Sequence, residues 1–287
     1  MRVRTYKSPY AARVADEILP TWLSYPSGWF CLGFSRQWKP GDVHTRPFMG
    51  TDVPVHRTRE GKLRADPLPV REAHGIVWVG HTRDRTPPGW EIPSFPESFV
   101  SPHTYCAVEM AGHPQDVMEN FIDHRHIIEL HGVDFLDVLT EAKADGPFFS
   151  VTYRVGRSLP FCSTVQDIRV QFIGLGAALM TIELSRYRLT AAQWLLVTPV
   201  GPGRIRYWGA ASATVAPSFR LPSLPRHGIE RLVGFGMNRW SLRDSRADWP
   251  IYHHKAYLPH PRLNSEDGPI GAFRHWARQF SSDGSDR

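Results

Sequence analysis

The feature that most constrains this chain is a block of five strand-like runs between residues 148 and 211, with no helical stretch among them. They are Phe148–Val155, Thr164–Phe172, Ala177–Leu184, Gln193–Val197 and Arg204–Ala211. Many of their residues are β-branched or aromatic, which suits a pleated, half-buried surface. Helical patterns flank the block. His113-Pro114 opens one helix through Gln115–Glu119 and onward. Gly228–Arg246 reads as a long helix, with apolar Ile229, Leu232, Val233 and Met237 at helical spacing, and Ile270–Phe280 as a last one. Helices, an extended antiparallel sheet, then a long helix make an α+β pattern. A curved sheet of this kind, wrapped on the C-terminal helix, can enclose an apolar pocket beside it.

Before residue 100 the runs are shorter: Trp29–Ser35, Asp52–His56 and Gly75–Gly80, with Thr104–Met110 following. Prolines at 87, 88, 93, 96 and 102, and again at 217, 222 and 225, mark loops. The expected division is a small β-rich unit over 1–100, a larger α+β unit over 101–280 and a tail over 281–287.

Several function classes fall away. No apolar stretch approaches membrane-spanning length. The first twenty residues lack the apolar core of a secretory signal, so a cytoplasmic location is expected. Cys31, Cys106 and Cys162 are far apart, and none belongs to a Cys-x2-Cys, Cys-x-His or Cys-x2-His unit. This argues against a disulfide framework, a zinc knuckle and an iron–sulfur cluster held by the chain. The net charge is +6, but the arginines are scattered rather than run together. Nucleic-acid binding is therefore not expected; a basic face for an acidic redox partner is as good a use of that charge.

Chemistry concentrates in one place. Residues 119–132, Glu-Asn-Phe-Ile-Asp-His-Arg-His-Ile-Ile-Glu-Leu-His-Gly, hold three histidines and three carboxylates. On a straight helix His126 and His131 would point roughly 140° apart, too far to share an ion unless the helix widens or ends between them. Spacing alone leaves a plain helix with surface histidines as an equal reading. His253-His254 diverge as helix neighbours. No Gly-x-Ser-x-Gly elbow, dinucleotide fingerprint or P-loop is present.

The same segment resembles the Asp-x2-His-x4-His pattern of the mononuclear iron site in Rieske non-heme iron oxygenases, filled by Asp123, His126 and His131 after Glu119-Asn120. The stretch Ala247-Asp248-Trp249-Pro250-Ile251-Tyr252-His253-His254-Lys255 is similar to the family's sequence around its third ligand, a carboxylate on the long C-terminal helix. The Pro69–Glu72, Gly75–Val79, Trp90–Pro93 and Gly268–Phe280 segments extend the likeness over most of the chain, toward the ketosteroid 9α-hydroxylase and cholesterol 7-desaturase type. The resemblance implies a helix-grip, START-like catalytic domain in which His126, His131 and Asp248 hold one Fe(II). Asp123 and Asn120 are the expected catalytic residues beside these ligands, with Asn120 near the metal without ligating it; His124 is read as a surface residue. Asp123 either bridges electrons from a neighbouring subunit or only orients His126.

One departure is large. Between Leu63 and Pro69, where the family carries the cysteine–histidine pairs of its [2Fe–2S] cluster, this chain passes within a few residues. The expectation is a cluster-less member with a small remnant of the Rieske domain. It would be an Fe(II)- and O2-dependent oxygenase acting by hydroxylation, desaturation or oxidative cleavage on a hydrophobic polycyclic or steroid-like molecule. Its electrons would come from a separate Rieske or ferredoxin-type donor, from a complete paralogue, or from the substrate. A homo- or hetero-oligomer based on a trimer is implied by the resemblance alone. The alternatives are a non-catalytic or regulatory subunit of a complete oxygenase, an apolar-ligand-binding protein, and a redox-neutral metal-dependent enzyme.

Overall fold

All five long runs are strands in the computed structural model, which describes residues 4–5, 25–95, 102, 104–159, 162–184, 189–216, 225–255, 258, 260–264 and 266–281. Preceding them are β1 (Arg4–Thr5), β2 (Gly28–Phe34), β3 (Val43–Phe48), β4 (Thr51–Arg57), β5 (Leu63–Arg64), β6 (Val70–Ala73), β7 (Ile76–His81), β8 (Thr104–Ala111) and β9 (Phe135–Asp145). The five runs become β10 (Phe148–Leu159), β11 (Cys162–Ile173), β12 (Ala177–Leu184), β13 (Leu189–Gly201) and β14 (Arg204–Val215). Strands β9 to β14 pair in sequence order as antiparallel neighbours, β8 adds beside β14, and β1 pairs parallel with β8, giving one eight-stranded sheet. The smaller strands form two three-stranded sheets, β2-β7-β6 and β3-β4-β5.

Strand β9 has no counterpart in the sequence reading. It is an edge strand, exposed along most of its length on both sides, so its sequence shows no in–out alternation. Glu141, Ala142, Lys143 and Ala144 are also poor strand formers. Pairing with β10 decides its conformation, and the register slips twice along that ladder.

The helices are α1 (Pro114–Glu119), α2 (His124–His131), α3 (Arg226–Asp244), α4 (Trp249–His254) and α5 (Ile270–Ala277). The expected apolar face of α3 is corrected at one position. Ile229 is buried and Val233 and Met237 are half-buried, but Leu232 is 64% exposed, and Glu230, Gly234 and Asn238 face inward with Ile229. The reason is close approach. Gly234 lies over the Ala211–Ser212 backbone, where an added Cβ would sit 3.6 Å from the Ala211 oxygen. At that range small and hydrogen-bonding side chains fit better than branched ones. Glu230 accepts from the Val215 N–H at 3.3 Å and from Arg226 at 3.0 Å.

The large sheet has two differently used faces. One meets the β2-β7-β6 sheet through Trp29, Trp78, Trp194 and Trp208, all fully buried. The join is also hydrogen-bonded: Thr198 Oγ1 donates to the Cys31 carbonyl at 2.6 Å and Ser27 N–H to the Phe280 carbonyl at 2.8 Å. The other face is closed at one end by Phe149, Phe172, Phe273 and Trp276, and at the other end leaves a cavity below α2 and α3. Residues 282–287, Pro96, Pro217 and Pro222 lie outside the described residues.

Candidate metal centre

The site is built where two short helices are pinned against a third. His113 caps α1, its Nδ1 accepting from Gln115 N–H at 3.3 Å. At the other end of α1, Glu119 is buried and receives Arg274 of α5 in a two-pronged contact at 2.6 and 2.8 Å, with Lys255 at 3.4 Å. This clamp fixes the start of the turn 120–123 that leads into α2. Asp123 then caps α2: its Oδ1 accepts from the His126 backbone N–H at 3.0 Å. Gly132, with φ 61°, ends the helix in the left-handed conformation that favours glycine.

Helix α2 runs through both His126 and His131 without widening and stops one residue later. The requirement that it break between them is therefore corrected. The imidazoles still meet, with ring centroids 5.0 Å apart and planes at 78°.

Asp248 completes the group. It does not sit on the long helix, as the resemblance implied, but at the corner between the short turn Ser245–Ala247 and α4. Its carboxylate is buried, with Oδ1 2.8 Å from His126 Nε2 and 3.6 Å from His131 Nε2. Ligand atoms of the three residues all lie within 4.8 Å of one another. Atoms bound at about 2.1 Å to one ion would be separated by roughly 3 to 4.2 Å. Although His126 Nε2 is so near the carboxylate oxygen, it forms no aligned hydrogen bond and is a buried atom without a partner. Donor atoms that converge on a point without bonding each other suit a shared cation. Two imidazoles and a carboxylate are a donor set that suits Fe(II).

Three further groups surround these residues. Asn120 Nδ2 donates to Asp248 Oδ1 at 3.4 Å and to Tyr252 Oη at 3.1 Å, so Asn120 holds the carboxylate rather than facing it as a ligand. Burial and the neighbouring Asp248 raise the Tyr252 phenol well above its ordinary pKa. Asp244, one turn before Asp248, places Oδ2 3.3 Å from His131 Nδ1, near but poorly aligned for a hydrogen bond. Burial opposes charge on His131; the Asp244 contact and the field of Asp248 outweigh it and raise its pKa. The sequence reading missed Asp244. Its signal was available, because carboxylates four residues apart near a helix end tend to share a face.

Asp123 has its recorded bond to the backbone of His126, not to the ring. His124 is not a simple surface residue: it is half-buried, with Nε2 3.2 Å from Tyr153 Oη, and burial lowers its pKa.

The cavity of about 170 Å³ opens directly onto His126, His131 and Asp248. Its walls are mainly apolar, with Phe121, Ile127, Ile168, Val170, Met180 and Leu195 prominent. No helix among the described residues is long and apolar enough to cross a membrane.

Comparison with known proteins bears on this arrangement. Cholesterol 7-desaturase nvd 1 of Ciona intestinalis is 22% identical over 346 aligned positions, covering 96% of this chain and 72% of that one. Cholesterol 7-desaturase nvd of Bombyx mori is 22% identical, over 98% of this chain and 74% of that one. The structure of dicamba monooxygenase bound to dicamba superposes with a TM-score of 0.64 at 12% identity, covering 91% of this chain and 98% of that one. Pseudomonas putida CBB5 NdmB gives 0.60 at 12% identity, over 90% and 91%. At such identities the solved structures show a common fold of mostly antiparallel sheets with a few helices. Residues 77–281 match the family described as 3-Ketosteroid 9alpha-hydroxylase C-terminal domain, and with most of its length inside that match the chain belongs to this family, as an oxidoreductase with the catalytic domain of a Rieske-type oxygenase.

Proposed function

We propose that this chain is an Fe(II)- and O2-dependent oxygenase of an apolar polycyclic or steroid-like molecule, holding iron through His126, His131 and Asp248 and carrying no Rieske cluster of its own. The convergence of three donor atoms, with His126 Nε2 buried and unpartnered, carries this reading. Fe(II) bound by these residues would supply the capacity to activate dioxygen. The chain's own groups prepare the place. Asn120 fixes Asp248, and Asp244 faces the far nitrogen of His131, as carboxylates do for metal-bound imidazoles. The apolar walls exclude water and receive an apolar substrate.

Two observations support the absence of a cluster. Residues 58–69 make a short turn and a bridge between Ala65 and Leu68, without a cysteine or histidine among them. The alignment with the Ciona relative needs 346 positions where the chain has 287 residues, so it opens gaps of several dozen positions in this chain. We accordingly read residues 1–100 as a remnant of the Rieske domain, 101–280 as the catalytic domain in helix-grip, START-like form, and 281–287 as a tail. The electron source lies outside this chain, in a cluster-bearing donor, a complete paralogue in a mixed oligomer, or the substrate.

The test is metal content by mass spectrometry on anaerobically prepared protein. Wild type is expected to hold about one iron per chain, and His126→Ala to hold none while keeping its melting temperature. Folded wild type that takes up no iron on anaerobic reconstitution would defeat the proposal.

A further inference from the structure

Apolar walls do not account for one occupant of the cavity, a nearly buried arginine. The Arg157 side chain is 13% exposed. Alternation along β10 puts Tyr153, Val155 and Arg157 on the cavity face, and the register sets Arg157 opposite Thr164 of β11. Gln166, next on that face, donates to Thr164 Oγ1 at 3.4 Å. Arg157, Thr164 and Gln166 thus make a polar patch on a cavity wall that is mainly apolar.

The guanidinium is held in place but not used up. Its Cζ lies 4.7 Å from the centroid of the Trp240 ring. Nη2 reaches Asp244 Oδ1 at 3.4 Å, its only recorded side-chain hydrogen bond among the described residues. Asp244 directs its other oxygen to His131, so its charge is shared between two neighbours. A guanidinium has five N–H donors. None of those on Arg157 is both fully enclosed and unpartnered, so the spare donors retain access to open space. Among the described residues Arg157 is the one arginine or lysine lining this cavity. A charge drawn out of water in such surroundings gains most from an acceptor that arrives with the ligand.

We propose that Arg157 anchors an oxygen acceptor, a carbonyl or a carboxylate, on an otherwise apolar substrate. The inference rests on reading the cavity as the oxygenase's substrate site, and it narrows the substrate class. Since the anchor and His131 share Asp244, the acceptor is held on the metal side of the cavity and fixes which part of the substrate faces the ligands.

Three naphthalenes of similar shape test it: acetylnaphthalene, naphthoate and ethylnaphthalene. Their dissociation constants are measured by calorimetry on anaerobic protein, with metal content recorded in parallel. Wild type is expected to bind the ketone or the acid roughly tenfold or more tighter than the hydrocarbon. Arg157→Met should bind the hydrocarbon as wild type does and lose that preference. A preference for the ketone assigns a carbonyl substrate, and one for naphthoate an acid. If the Met variant does not fold, Arg157→Lys serves, with charge kept and the planar fork lost; its preference must be weaker than that of wild type. No preference in wild type, a preference that survives Arg157 replacement, or equal loss of all three probes overturns the assignment. Binding is read without turnover, so the two proposals fail separately. Iron-free protein with an Arg157-dependent preference refutes only the oxygenase reading. Iron-loaded protein without the preference refutes only the anchor.

Discussion

The two faces of the large sheet are made from alternate residues of the same strands, yet they are packed to different ends. On the face toward the β2-β7-β6 sheet, Trp194 sits fully buried among Trp78, His74 and Phe95, with ring centroids 5.8 to 6.3 Å away. One residue on, Leu195 turns to the opposite face and lines the cavity. The first face holds the β2-β7-β6 sheet to the large sheet; the second gives up contact to keep space beside His126, His131 and Asp248. Dispersion and burial reward the filled face, while the open one is tolerated because its walls are rigid and largely apolar.

This contrast can be broken most severely on the filled side. Trp194→Ala is expected to lose about 3–5 kcal/mol of stability, read as a shift in the denaturant midpoint, because no neighbouring side chain can reclaim that volume. A loss within experimental error would mean that the two sheets pack loosely on this face. A finer comparison uses one substitution at adjacent positions of β12. Leu179 is 1% exposed on the filled face, and Met180 lines the cavity. Leu179→Trp should destabilise by about 1–3 kcal/mol through overpacking, and Met180→Trp by less than about 1 kcal/mol. Met180→Trp should also abolish binding of the naphthalene probes. Equal destabilisation by the two would show that the faces do not differ in packing.

The smallest effect concerns a hydrogen bond that ties the end of β7 to the chain just before β2. His81 Nδ1 donates to the Pro26 carbonyl at 3.0 Å, and burial lowers its pKa while that bond acts in the opposite sense. With the folded value below the unfolded one, the unfolded chain takes up a proton first as pH falls. Stability associated with His81 is complete above the unfolded histidine value, about 6.5, and declines below it toward the folded pKa. Unfolding measured between neutral and mildly acidic pH should show a shallower decline in His81→Asn than in wild type. Identical slopes would remove His81 from the account.

Much of this was legible from the residues. The buried strands announced themselves, because burial imposes an apolar, β-branched and aromatic pattern that survives in sequence, as in β2, β7, β13 and β14. Strand β9 did not, since an edge exposed on both sides leaves none. Glycine and asparagine on the inner face of α3 were passed over for Leu232, because apolar periodicity says nothing of how closely a helix lies on a sheet. His126, His131 and Asp248 were named through a motif, and Asp244 and Arg157, which belong to none, were not.

The sequence by itself determined the five long strands, the family and the lack of cysteine pairs, and it offered three candidate donor side chains. Those follow from local pattern and from residue types that only certain chemistry requires. Tertiary structure alone decided that rings five positions apart on an unbroken helix meet at a carboxylate 117 residues after His131. It alone also decided that a strand's alternation delivers an arginine into a cavity with mainly apolar walls. Both depend on where distant segments are pinned, by the Glu119–Arg274 clamp and by the close seat of α3 on the sheet, and neither is written in any single stretch of chain.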